Sequence, residues 1–187
     1  MTQRFLILHG FENRRPPGHW HHWLAERLRG AGEQVLYPQL PEPDTPRLES
    51  WAELLRAELG MLGAGERVVV CHSLSCLLWM HYARRMDPSE RVDRVLLVAP
   101  PGPSAMPPEM ATFLPEKLSA DAIRASCRTP IKLACSDDDP WCPEGAAAYY
   151  GEALGLDVKL LPGHGHLSET DGLGPWPWVE EWCRGGS

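Results

Sequence analysis

Three kinds of side chain stand where they could do chemistry together. A serine, Ser73, sits in Val68-Val69-Val70-Cys71-His72-Ser73-Leu74-Ser75-Cys76; three aspartates, Asp137, Asp138 and Asp139, share one loop; two histidines, His164 and His166, follow near the carboxyl end. A serine hydroxyl is a poor nucleophile until a histidine takes its proton and an acid orients that histidine. Here the chain order is serine, acid, histidine, an order known for such relays on parallel sheets. The chemistry implied is acyl transfer through the serine.

Ser73 lies where an apolar strand turns sharply into a helix, the pivot that lifts a nucleophile above a sheet edge. The pattern departs from G-x-S-x-G, because Cys71 and Ser75 occupy the glycine positions. Ser75 is read as structural, its Cβ expected to strain the pivot, and Cys71 as a core residue. Among the acids, Asp139 precedes Pro140, which restricts its backbone to an extended shape. Asp137 and Asp138 stay open as alternatives. His166 is followed by Leu167, which can anchor it; His164, between two glycines, is the reserve. The charge developing on an acyl oxygen needs backbone donors, and the amides of Leu74 and Phe11 are placed to supply them. His9-Gly10 supplies the tight turn before Phe11. A metal held by His164 and His166 lacks a clear third ligand, and the cysteines lack metal-site spacing.

These residues need a scaffold, and the hydrophobic pattern predicts one. Apolar runs at 5–8, 34–37, 67–70, 92–99, 131–135 and 158–161 read as six strands. Helical spacing appears at 20–30, 51–62, 74–86, 145–154 and 178–183. Strands and helices alternate, and purely apolar strands imply a mostly parallel six-stranded sheet with helices on both faces. Residues 101–115 hold several prolines and no clean period, so they read as a loop or minimal lid. His9, Ser73, Pro100, Asp139 and His166 all fall just after strands, where ligands of such folds sit.

Composition bounds the rest. The chain has 187 residues, 43% of them apolar, which fits one domain spanning 1–187. A net charge of -7 without a basic block argues against nucleic acid. No run approaches the length of a membrane span, and the first ten residues do not read as a signal peptide. A cytoplasmic location follows, with six cysteines at 71, 76, 127, 135, 142 and 183 expected as free thiols. Heavy use of Trp, Pro, Arg and Gly is compatible with a high-GC bacterial source.

Taken together, these motifs make the chain resemble the small α/β-hydrolase-fold serine hydrolases that include retinoblastoma-binding protein nine and its bacterial relatives. The resemblance rests on Pro17-Gly18-His19-Trp20, Cys71-His72-Ser73-Leu74-Ser75, Ser136-Asp137-Asp138-Asp139-Pro140-Trp141-Cys142-Pro143, Gly165-His166-Leu167-Ser168 and Trp176-Pro177. It implies a single-domain α/β-hydrolase fold, with Ser73 as nucleophile, Asp139 as acid and His166 as base. It implies an esterase-like hydrolase acting on a small ester or thioester, with no cofactor and no metal. The expected partner is a small acyl substrate, with the protein a monomer or homodimer. Candidate substrate contacts are His9, His72, Met106, Met110, Phe113 and Trp141. The alternatives are a lyase, cyclase or amidase reaction at the same site, or a non-catalytic interaction protein on this scaffold.

Overall fold

A computed structural model describes residues 3–186; the outermost positions of the 1–187 domain assignment, residues 1, 2 and 187, lie outside the described residues. Six strands form one sheet: β1 (Gln3–Leu8), β2 (Gln34–Leu36), β3 (Glu66–His72), β4 (Arg94–Val98), β5 (Lys132–Cys135) and β6 (Asp157–Leu160). Their order is β2-β1-β3-β4-β5-β6, and every pairing is parallel. The helices are α1 (Trp20–Gly30), α2 (Leu48–Met61), α3 (Leu74–Ala83), α4 (Ala120–Ser126) and α5 (Pro177–Cys183). Among the described residues, no helix is long and apolar enough to cross a membrane.

Side chains alternate across the strands and build two cores. Leu6, Leu8, Val69, Cys71, Val95 and Leu97 pack with Trp51 and Leu55 of α2 and Trp79 of α3. Phe5, Ile7, Val68, Val70, Leu96 and Val98 pack with Trp20 and Leu24 of α1 and Val179 of α5. Because both faces are covered, the central strands carry continuous apolar runs at 5–8, 68–71 and 95–98, as the sequence pattern implies. The chain moves from β1 out to β2 and then back to β3 on the other side of β1. That reversal opens a crevice at the carboxyl ends of β1 and β3, where Leu8 pairs with Cys71.

The structure corrects several details. All four residues of β6 are exposed, so the sixth strand is a solvent-facing edge and not a buried one. Its Asp157 pairs with Lys132 at 2.9 Å. Helix α3 stops at Ala83, short of the expected 86. The stretch expected as a helix over 145–154 contains a π-helical segment, Ala147–Glu152. Residues 101–115, read as a loop or minimal lid, contain two 3₁₀ segments, Pro103–Ala105 and Pro108–Phe113. Helix α4 has no counterpart in the sequence reading. It is seven residues long, too short for a clear period, and is capped by the Ser119 hydroxyl accepting from the Ala122 amide.

Candidate active site

Ser73 stands between the last residue of β3 and the first of α3. Its φ of 57° and ψ of -126° place it in a region that side-chain-bearing residues avoid. Such backbone persists only when its surroundings over-determine it. Here the Ser73 amide donates to the Val98 carbonyl at 2.8 Å, and the Cys76 amide donates to the Ser73 carbonyl at 2.9 Å. Gly10 makes room on the other side, because a Cβ there would lie 2.6 Å from the Ser73 Cβ.

The Ser75 side chain points into this junction and is fully buried. Its hydroxyl accepts from the His72 amide at 2.9 Å and faces the carbonyls of His72 at 2.9 Å and Leu8 at 3.0 Å. The expected strain at this position is therefore corrected. The backbone there has no positive φ, and the hydroxyl ties β1, β3 and α3 together. Cys71 and Cys76 are buried thiols whose pKa burial raises, so neither offers a ready thiolate.

The polar line from Ser73 is continuous. His166 Nε2 lies 2.8 Å from Ser73 Oγ, and His166 Nδ1 lies 2.9 Å from each carboxylate oxygen of Asp139. A carboxylate only accepts, so Nδ1 carries the hydrogen and Nε2 presents its lone pair to the hydroxyl. Asp139 is 4% exposed and its Oδ1 also accepts from the Trp141 amide at 2.8 Å. Asp137 and Asp138 are exposed and do other work. Asp137 accepts from the Gly163 amide; Asp138 accepts from the Ser136 hydroxyl and the Gly165 amide. His164 is exposed, its ring bonded to the Pro162 carbonyl.

A cleft of about 570 Å³ opens over Ser73. Phe11, Leu74, His72, Met106, Met110 and Trp141 line it. Among the described residues, neither the Phe11 nor the Leu74 amide donates to another protein group. Two expected contacts are corrected. Phe113 is fully buried and packs edge-on against Trp51 at 5.2 Å. His9 is also fully buried; its Nδ1–H donates to the Gly10 carbonyl, and its Nε2 accepts from the amide of Leu40 at 2.8 Å and the side chain of Gln39 at 2.9 Å. It fastens the loop after β2 to the end of β1 and does not reach the cleft.

Asp171 is a residue the sequence reading did not single out. Its carboxylate accepts from the amides of His166 and Ser168, each at 3.1 Å, and from the Ser168 hydroxyl. The signal was present as Ser168-x-x-Asp171, a capping-box spacing. His19, at the N-cap of α1, also lines the cleft. Behind the base, His19, His21 and His72 form a buried group. Burial pulls the His19 pKa down to about 4 and those of His21 and His72 well below the usual value, so all three rings are neutral.

A family model described as serine hydrolase matches residues 5–184. The YdeN protein of Bacillus subtilis (strain 168) is 25% identical over 180 residues, covering 96% of this chain and 93% of that protein. The crystal structure of the ydeN gene product superposes with a TM-score of 0.84 at 22% identity, over 99% of this chain and 98% of the other. A YdeN-like protein from Pectobacterium atrosepticum gives 0.74 at 22% identity, over 97% and 88%. A structure from the metagenome-derived lipolytic pair LipS and LipT gives 0.69 at 14% identity, over 98% and 95%.

Proposed function

The chain belongs to the serine hydrolase family, and on that premise we propose that it cleaves a small carboxylic ester or thioester through an acyl-enzyme on Ser73. The observation that carries this is the line Ser73, His166, Asp139, with separations of 2.8 and 2.9 Å. As Ser73 Oγ attacks the acyl carbonyl, its proton passes to His166 Nε2. Asp139 keeps Nδ1–H in place and stabilises the imidazolium. The amides of Leu74 and Phe11 meet the oxyanion, the first at the start of α3 where the helix dipole also favours negative charge. The same proton then goes to the leaving group. A water activated by His166 releases the acid and restores the serine.

The cleft wall supports an apolar acyl or alkyl group, because Met106, Met110 and Trp141 face it alongside Phe11. The lipolytic activity named for the LipS and LipT pair points the same way at the level of fold. All six cysteines are free and buried, which supports a reducing, cytoplasmic setting. The protein acts there as a monomer or homodimer.

A fluorophosphonate probe tests the reading directly. The wild type should label on Ser73 by mass spectrometry. Ser73→Ala should abolish labelling and lower turnover by about 10³-fold or more, since members of such a relay act as a unit. An adduct on Ser75 or Cys71 would move the nucleophile. Comparing p-nitrophenyl esters with acyl thioesters then selects between the two substrate classes.

A further inference from the structure

We propose that His19, His21 and His72 form a binding site for a single divalent transition-metal ion of the zinc type, separate from the Ser73 relay. One ligand atom from each ring lies within 4.8 Å of the other two, and all three rings are buried. His19 and His21 enter from the start of α1, and His72 from the end of β3. The fold thus brings a short His-x-His pair against a third imidazole some fifty residues away in sequence.

The tautomers favour metal binding. His72 Nε2 lies 3.0 Å from the His166 carbonyl, which can only accept, so Nε2 carries the hydrogen. The bare nitrogen is then Nδ1, and it is buried with no protein partner among the described residues. A metal-bound histidine has this arrangement, one nitrogen donating to a carbonyl and the other bare for the ion. His21 goes further. It is fully buried, and neither of its ring nitrogens has a protein partner among the described residues. An imidazole left in that state loses its hydration with nothing in exchange. A cation accepting its lone pair supplies the missing interaction.

His19 contributes on different terms. Its Nδ1 accepts from the His21 amide at 3.2 Å, a long capping contact that a metal bond through this nitrogen would replace. The His19 and His21 rings lie nearly parallel, with centroids 4.2 Å apart. The ligand atoms lie within 4.8 Å of one another, whereas the ligand-to-ligand edge of a tetrahedral zinc site is about 3.4 Å, so these two rings must turn out of their stack and close before their lone pairs meet at one ion. Three neutral nitrogens suit zinc, copper(II) or nickel(II) over magnesium or calcium, which prefer oxygen. His19 and His72 also line the cleft, which gives the ion an entry path.

His21 does not line the cleft, so it can be changed without touching the relay. Metal-stripped wild type and the His21→Phe and His21→Gln variants should be titrated with zinc by calorimetry and with cobalt(II) by visible absorption. The wild type should bind one equivalent, with the bands of a four-coordinate cobalt ion. Both variants should lose about 100-fold or more in affinity, since even outer partners of a metal site are worth 10–100-fold. Their metal-free esterase activity should match the wild type. His21→Gln keeps the test open if the phenylalanine variant fails to fold. Absence of stoichiometric binding by the wild type overturns the proposal. So does equal binding by wild type and the folded variants, which would put the ion on other groups such as His164 or the exposed aspartates.

Discussion

Ser73 and His166 meet at 2.8 Å, yet opposite physics holds them there. The serine stands on β3 and α3, in the most buried part of the molecule. Val68, Val69, Val70, Cys71, Cys76, Leu77, Leu78 and Trp79 around it are wholly inaccessible. The histidine follows β6, whose residues are all exposed, and its loop is held by polar bonds. Asp137 and Asp138 accept from Gly163 and Gly165, Asp171 accepts from the His166 amide, and the Ser136 hydroxyl receives the His164 amide. Packing dominates around the nucleophile and hydrogen bonds dominate around the base, with Leu167 adding a core anchor beside His166. Damage to the first region should therefore appear as lost stability, and damage to the second as lost turnover in a folded protein.

The largest effect that sharpens this contrast is Asp139→Asn. The amide preserves size, but it can donate to His166 Nδ1 and so favours the wrong tautomer. Turnover should fall by about 10³- to 10⁴-fold, while the urea unfolding curve stays close to wild type. A drop under tenfold would show that another carboxylate orients the ring.

Next comes Asp171→Ala, which removes the acceptor for the His166 and Ser168 amides. Asp171 touches the base only through the backbone, so it is a positioning residue. Misplacement of the ring should cost about 10- to 100-fold in kcat, with little change in KM for a small ester. Asp171→Asn keeps an acceptor oxygen and should recover most of the rate. If alanine and asparagine behave alike, the polar support of the loop is not what places His166.

The same division explains what could be read from the sequence. Strands β1, β3, β4 and β5 announce themselves as apolar runs because both of their faces are buried, and the pivot at Ser73 follows from the switch between β3 and α3. The misreadings fall where burial and polarity do not track residue type. His9 looks like a site residue by its place after β1, but its ring is consumed by Gly10, Gln39 and Leu40. Phe113 looks like lid material because prolines hide its 3₁₀ turn, and it ends in the core beside Trp51. Asp171 is invisible to such patterns because an aspartate in a polar loop has no periodic signature. Its only trace is the spacing from Ser168. Judged by volume alone Ser75 crowds the pivot, whereas its hydroxyl is used as a hydrogen-bonding hub.

Ser75→Ala tests that last point from the packed side of the comparison. The variant leaves the His72 amide without its partner in a fully buried setting. Stability should fall by about 1–3 kcal/mol, read from the urea midpoint, while kcat per folded molecule changes less than in Asp171→Ala. Ser75→Gly should be at least as destabilising, since it also frees the backbone by roughly 0.5–1 kcal/mol. A glycine variant more stable than wild type would restore the strain reading.

The narrowest effect, absent near neutral pH, is a pH dependence carried by His9. Its ring is neutral in the fold: Nδ1–H donates to Gly10, and protonation of Nε2 would set a hydrogen against the two donors from Leu40 and Gln39. Burial, chiefly, lowers its pKa from 6.5 to about 4. The unfolded chain therefore takes up a proton near pH 6.5 that the folded chain refuses until about pH 4. Between those values the unfolded state binds more protons, so stability falls as pH drops. The slope from this ring is at most about 1.4 kcal/mol per pH unit, and it vanishes above the window. His9→Gln should be less stable than wild type at pH 7.5, yet decline less steeply from pH 6.5 to 4 by up to one proton's worth. Ser75→Ala, which removes no titrating group, should keep the wild-type slope over the same range. Urea unfolding of metal-free protein at stepped pH makes the measurement, and equal slopes for His9→Gln and wild type would show that acid sensitivity resides elsewhere.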